Sequence, residues 1–149
     1  MDNARELFQI MTRRFGLLNK NCCSVGGCDI TLVQSHILYE IDRQHKPSMQ
    51  QISDTLGTDI TTFSRQVQSL IKLKLVKKTA DPTDRRVHTL SLTAEGKYVA
   101  TTIDTQMNEY LNDAFSKMTE FEKETLLRSV MLFNEAMGKS SKCCSPVTG

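Results

Sequence analysis

The sequence predicts a mainly α fold class with a small β-wing, and three observations predict it. Two short amphipathic segments, 48–56 and 60–71, are joined by a turn containing Gly57, which is the helix-turn-helix pattern. The hydrophobic period then changes from helical to alternating over residues 87–92, behind a turn-forming Asp81-Pro82-Thr83-Asp84. Longer helical stripes lie on both sides of this block.

Taken in order, Leu7, Ile10, Met11, Phe15 and Leu18 recur at helical spacing and give a first amphipathic helix over residues 4–18. Asn19 to Asp29 breaks the pattern, with Gly26-Gly27 at its middle, and reads as a connecting loop. Ile30, Val33, Ile37 and Ile41 form the stripe of a second helix that ends before Pro47. Ser48 with Gln51 is a capping box. It starts a short helix with Ile52 and Leu56 inward, ending at Gly57. Asp59 is the N-cap of the next helix, whose apolar positions are Ile60, Phe63, Val67, Leu70 and Ile71. From Leu75-Val76 a hairpin runs out and back to Leu92, with a charged tip. A long helix follows from Thr93, striped by Val99, Ile103, Met107, Tyr110, Leu111, Ala114 and Met118. Thr119 restarts a last helix through Leu127, Val130, Met131 and Asn134, and 138–149 reads as a flexible tail.

Composition narrows the function classes. The 149 residues are 39% hydrophobic and 24% charged, which excludes wholesale disorder and repetitive fibrous chains. No apolar run approaches the ~18 residues of a membrane helix, and the first residues do not resemble a signal peptide. The expectation is a soluble, cytoplasmic protein with no membrane partner. The net charge of +2 is unevenly spread. Residues 48–93 carry seven Lys/Arg against four Asp/Glu, and residues 94–137 carry four against eight. A basic middle followed by an acidic helical stretch suggests that one segment meets a polyanion and the other does not.

With its apolar stripe turned to the core, the second helix of the pair leaves Thr61, Thr62, Ser64, Arg65, Gln66 and Gln68 as outward residues. Hydroxyls, amides and an Arg at the front of a helix suit phosphate positioning and base-edge readout in a DNA major groove. Arg65 is the first candidate for a guanine or phosphate contact. The hairpin adds Lys77, Lys78, Arg85, Arg86 and His88. An Arg at its tip can enter a neighbouring minor groove.

Asp84-Arg85-Arg86-Val87-His88-Thr89-Leu90-Ser91-Leu92-Thr93, followed by Ala94-Glu95-Gly96, resembles the wing signature of the MarR family of winged helix-turn-helix repressors. The Asp-x-Arg and Leu-Thr-x-x-Gly elements match, as do Leu56-Gly57, Ser64-Arg65 and Leu75-Val76. The resemblance extends over residues 5–137. It departs from the family at Asp59-Ile60, where small or basic polar residues are more usual. The resemblance implies a winged helix-turn-helix DNA-binding lobe over 30–93 and a helical dimerisation region from 1–20 and 94–137. A connecting loop (19–29) and a tail (138–149), both containing Cys, complete the division. It further implies a homodimeric repressor that reads a pseudo-palindromic operator in double-stranded DNA. Such a repressor needs no cofactor for DNA binding and is released by a ligand or by oxidation. The acidic stretch fits a dimerisation region facing away from DNA.

The five cysteines are clustered as Cys22, Cys23 and Cys28 on one side and Cys143 and Cys144 on the other. That is too sparse for a disulfide scaffold. Three thiolates on a short Gly-containing loop could wrap a thiophilic centre, with As(III) favoured over another thiophilic metal ion, and the tail thiols could complete the site. Thiol oxidation sensing is the second reading. Adjacent Cα atoms, ~3.8 Å apart across a trans peptide, fall short of the usual disulfide separation of ~4.4–6.8 Å, so a disulfide within either doublet is strained, an objection that a bridge between loop and tail escapes. A small aromatic ligand acting elsewhere is the third. Among the histidines, His36 reads as a partly buried polar group and His45 as exposed. No phosphate-binding Gly-rich loop, HExxH motif or nucleophile elbow is present. Cys28 and His36 lack a third orienting residue, so the chain is not expected to be an enzyme.

Overall fold

A computed structural model describes residues 3–22, 24–25 and 28–139, with side chains for 3–15 and 29–139. The elements run α1 (Ala4–Cys22), β1 (Ser24–Val25), β2 (Cys28–Asp29), α2 (Leu32–Arg43), α3 (Met49–Leu56), α4 (Ile60–Lys72), β3 (Val76–Ala80), β4 (His88–Leu92), α5 (Ala94–Phe115) and α6 (Glu120–Gly138). Contacts divide the chain into a unit ending at Met107 and one beginning at Asn108.

Reciprocal caps set the starts of α2 and α3. The Gln34 N–H donates to the Thr31 hydroxyl at 3.1 Å while the Thr31 N–H donates to the Gln34 side chain at 3.0 Å. Ser48 and Gln51 repeat the arrangement at 3.0 and 2.8 Å. The expected second-helix stripe shifts accordingly. Ile30 precedes α2 and is buried, Val33 is exposed, and Ile37, Leu38 and Ile41 carry the inner face. His36, expected to be partly buried, is exposed.

α1 also differs from expectation. It continues past Leu18 to Cys22, because an established helix propagates through Asn and Lys until a stronger breaker arrives. The expected loop is therefore shorter. Its described part is a short antiparallel pairing of Ser24 with Asp29 and Val25 with Cys28.

The core of the first unit gathers Ile37, Leu38, Ile52, Phe63, Val67, Leu70 and Leu90, all fully buried. Each such side chain contributes about 1.5–3 kcal/mol relative to exposure. The β3–β4 hairpin pairs Val76 with Leu92 and Ala80 with His88. It gains a further contact: the Leu90 N–H donates to the Pro47 carbonyl at 2.8 Å, and Ser48 bridges Thr89. The residues just before α3 are thus tied to the wing.

The start of α5 belongs to this core. Gly96, Val99, Ala100 and Ile103, at the start of the 94–137 region expected to dimerise, are buried. Gly96 and Ala100 at i and i+4 let the helix approach closely. A Cβ on Gly96 would stand 1.9 Å from the Leu75 carbonyl oxygen. The Thr93 hydroxyl donates to the Lys74 carbonyl at 2.7 Å and accepts from the Gly96 N–H at 2.9 Å. That is the physical content of the Leu-Thr-x-x-Gly element.

In the second unit, Thr119 caps α6 by accepting the Glu122 N–H at 3.2 Å. Lys123 lies 5.4 Å from the centroid of the Phe115 ring. No residue of α6 is buried, and Phe121, Leu127, Met131 and Leu132 are exposed. Among the described residues, no helix is long and apolar enough to cross a membrane.

Candidate nucleic-acid interface

The turn between α3 and α4 is held by three devices. Gly57 takes the left-handed conformation (φ 65°) that glycine adopts at no steric cost. Its N–H and that of Thr58 donate back to the Asp54 and Ser53 carbonyls, each at 3.2 Å. The buried Ser53 hydroxyl donates to the Thr58 carbonyl at 2.7 Å. Asp59 then caps α4, its carboxylate accepting from the Thr62 N–H at 3.0 Å and the Thr62 hydroxyl at 2.7 Å. These donors, the hydroxyl first, hold the Asp59 carboxyl below its ordinary range.

Phe63, Val67 and Leu70 fasten α4 to the core, so its opposite face is fixed. There an open depression of about 590 Å³ is lined by Ile60, Thr61, Ser64, Arg65, Gln68, Ser69 and Lys72. Four of the sequence candidates, Thr61, Ser64, Arg65 and Gln68, come together in it. Thr62 is engaged with Asp59, and Gln66 is half-buried and does not line it. Ser69 and Lys72 are additions that the sequence reading misses, although their positions i+8 and i+11 from Thr61 continue the same stripe. Ile60 is a correction. Expected on the core face with Phe63, it is 45% exposed.

At its far end, α4 closes with Lys74 in a left-handed conformation (φ 61°). The Lys74 N–H donates to the Ile71 carbonyl at 2.9 Å and the Leu75 N–H to the Leu70 carbonyl at 3.0 Å. This turn sends the chain directly into the wing.

The wing tip is ordered by two carboxylates. Asp81 accepts from the Thr83 hydroxyl at 2.6 Å, the Thr83 N–H at 2.8 Å and the Asp84 N–H at 3.3 Å. Asp84 accepts from the Arg86 N–H at 3.0 Å and grips its guanidinium through Nε at 3.1 Å and Nη2 at 3.2 Å. Each acid is held below its ordinary range, Asp81 first by the Thr83 hydroxyl and Asp84 first by the Arg86 side chain. Even so, the Arg86 side chain is 92% exposed, aligned by Asp84 and open to solvent. Arg85 is exposed, with no ion pair among the described residues. Lys77 and Lys78 are exposed on β3, and His88 is half-buried opposite Ala80.

Cys22 ends α1 and Cys28 lies in β2, but their side chains, and Cys23, Cys143 and Cys144 entirely, lie outside the described residues. Among the described residues no group of three or more His, Cys, Asp or Glu could hold a metal ion.

The model of the MarR family matches residues 29–87, from β2 through the wing tip. Over these residues the chain is similar to the MarR family. Two curated relatives agree in kind. The HTH-type transcriptional regulator YsmB of Bacillus subtilis (strain 168) is 29% identical over 87 residues, 58% of this chain and 60% of the relative. The HTH-type transcriptional regulator PapX of Escherichia coli is 30% identical over 82 residues, 55% of this chain and 50% of the relative. These matches thus span between half and three fifths of the relatives' length. Solved MarR-like folds extend the likeness along the chain. A MepR–DNA complex from S. aureus superposes with TM-score 0.78 at 19% identity, covering 91% of this chain and 99% of that one. FabT of Streptococcus pneumoniae in complex with DNA gives 0.80 at 17%, covering 90% and 94%. Wild-type MarR from E. coli, in its apo form, gives 0.73 at 19%, covering 89% and 98%.

Proposed function

We propose that this chain is a DNA-binding transcriptional repressor of the MarR kind, working as a homodimer on a pseudo-palindromic operator. The observation that carries the reading is the outer face of α4. There Thr61, Ser64, Arg65, Gln68, Ser69 and Lys72 form one polar, cationic stripe on a helix whose other side is locked into the core. The Asp84-aligned Arg86 adds a second contact at the wing tip. A helix in the major groove and an Arg in the adjacent minor groove form one docking mode. The exposed apolar residues of α1 (Leu7, Met11, Phe15) and of α6 supply the faces a second copy would cover. Two lobes on one dimer raise affinity through effective concentration.

The signal enters at the cysteines. Cys22 and Cys28 flank the connection between α1 and α2, so a ligand held there acts where a dimerisation helix meets the reading lobe. Arsenite is the favoured effector: three thiols condense with As(OH)₃ to give As(SR)₃ and three waters. A ligand induces only by binding the DNA-free conformer better, and tenfold release needs about 1.4 kcal/mol of coupling.

The test uses the full chain on duplexes it selects from a random pool. Bound complex is titrated with arsenite, antimonite, Zn²⁺, Cd²⁺ and peroxide, each with and without reductant. Arsenite should release DNA at least tenfold, and the Cys22→Ser/Cys23→Ser double variant should bind DNA normally without being released. Release by peroxide, reversed by reductant and accompanied by indifference to arsenite, would replace the metalloid with thiol oxidation. Failure to select any duplex would end the DNA-binding reading itself.

A further inference from the structure

We propose that Ile60 reads the C5 methyl group of a thymine; the inference rests on the DNA-binding reading above. On the helical wheel Ile60 aligns with Phe63 and Val67, both fully buried, yet it is 45% exposed. It is the first residue of α4, and its Cβ tilts back toward the helix N-terminus. The branched side chain therefore projects beyond the end of the core that receives the rest of the stripe.

Its surroundings narrow what it can meet. Ile60 shares the outer depression with Thr61, Ser64 and Arg65, so the apolar group stands at the leading end of a polar, cationic surface. Beside it, the Asp59 carboxylate is engaged by the Thr62 N–H and hydroxyl. The leading turn of a recognition helix is the part that reaches base edges. In the major groove the one methyl among the base-pair edges is the thymine C5 methyl. An Ile at this position gains from that methyl and from no other base edge, which makes it a specificity determinant distinct from the hydrogen-bonding Arg65.

The experiment alters the DNA before it alters the protein. The full chain selects duplexes from a random pool, and each thymine of a selected duplex is replaced in turn by deoxyuridine, which lacks only the methyl. At one thymine per half-site the wild type should lose about fourfold in affinity, the value of one buried methyl. Ile60→Ala should bind the unmodified duplex several-fold more weakly and become indifferent to deoxyuridine at that position. Arg65→Ala, though weaker overall, should remain sensitive to it. Because deoxyuridine is tested on the wild type, a folding defect in a variant cannot imitate the effect. Duplex binding that is insensitive to deoxyuridine at every thymine, or an Ile60→Ala variant that stays sensitive, overturns this inference alone. Absence of binding to any duplex overturns the DNA-binding reading and this inference together.

Discussion

Arg86 and Gly96 show how much one side chain, or its absence, decides here. The Asp84 carboxylate holds the Arg86 guanidinium through two nitrogens while leaving the side chain exposed, so the wing carries an oriented cation. Asp84→Ala removes a negative charge from the proposed DNA-facing surface, and charge alone would tighten binding. Orientation outweighs that gain if the guanidinium must arrive aligned. Asp84→Ala should therefore weaken duplex affinity several-fold in fluorescence anisotropy, the scale of one charge-assisted contact. Tighter binding would show that Asp84 acts only through its charge. Gly96 makes the opposite point. A Cβ there meets the backbone oxygen of Leu75, and backbone cannot swing aside as a flexible side chain would. Gly96→Ala should cost about 1–3 kcal/mol in denaturant unfolding. Gly138→Ala, with nothing within 4 Å of its Cβ, serves as the near-neutral control.

At the scale of elements, the helix-turn-helix and wing are legible because their boundaries are written in local chemistry. Ser48 with Gln51, Gly57, Asp59 and the Asp81–Asp84 turn each satisfy backbone groups within a few residues of themselves. What is not legible depends on distant partners. Ile60 fits the apolar stripe by its angle, and its exposure follows from where the core ends. Thr31 with Gln34 is a capping box of the same kind as Ser48 with Gln51, but the apolar Ile30 beside it draws the expected helix start forward. The bond from Leu90 to Pro47, and the burial of Val99 and Ile103 in the lobe core, join segments far apart in the chain, which no local period encodes. The capping and turn acids also contribute to the response to acid. Asp59, Asp81 and Asp84 have folded-state pKa values below the ordinary 3.8. Their contribution is therefore present above that value and is lost as pH falls through the folded values. Thermal stability should hold from about pH 7 to about pH 5 and decline below about pH 4. Asp81→Asn should make the acid decline shallower, and a variant with the wild-type slope would contradict this role for the turn.

Over the whole molecule, the modest net charge of +2 conceals a division of labour. The basic stretch supplies α4 and the wing, while the acidic stretch supplies α5 and an α6 whose apolar residues are exposed. Under the proposed function that distribution supplies a reading surface for DNA and faces for a second copy, with Cys22 and Cys28 on either side of the break between α1 and β2. The most direct measurement is duplex affinity as a function of salt, for the wild type and for Arg65→Ala. Each phosphate contact contributes a slope of about −0.9 in log affinity against log salt. The expected result is a steep loss of affinity between about 50 and 200 mM salt for the wild type. Arg65→Ala should bind more weakly, and its slope should be shallower by about one for each phosphate contact it removes. An affinity that does not change with salt, or an Arg65→Ala variant indistinguishable from the wild type, would contradict a nucleic-acid interface on α4.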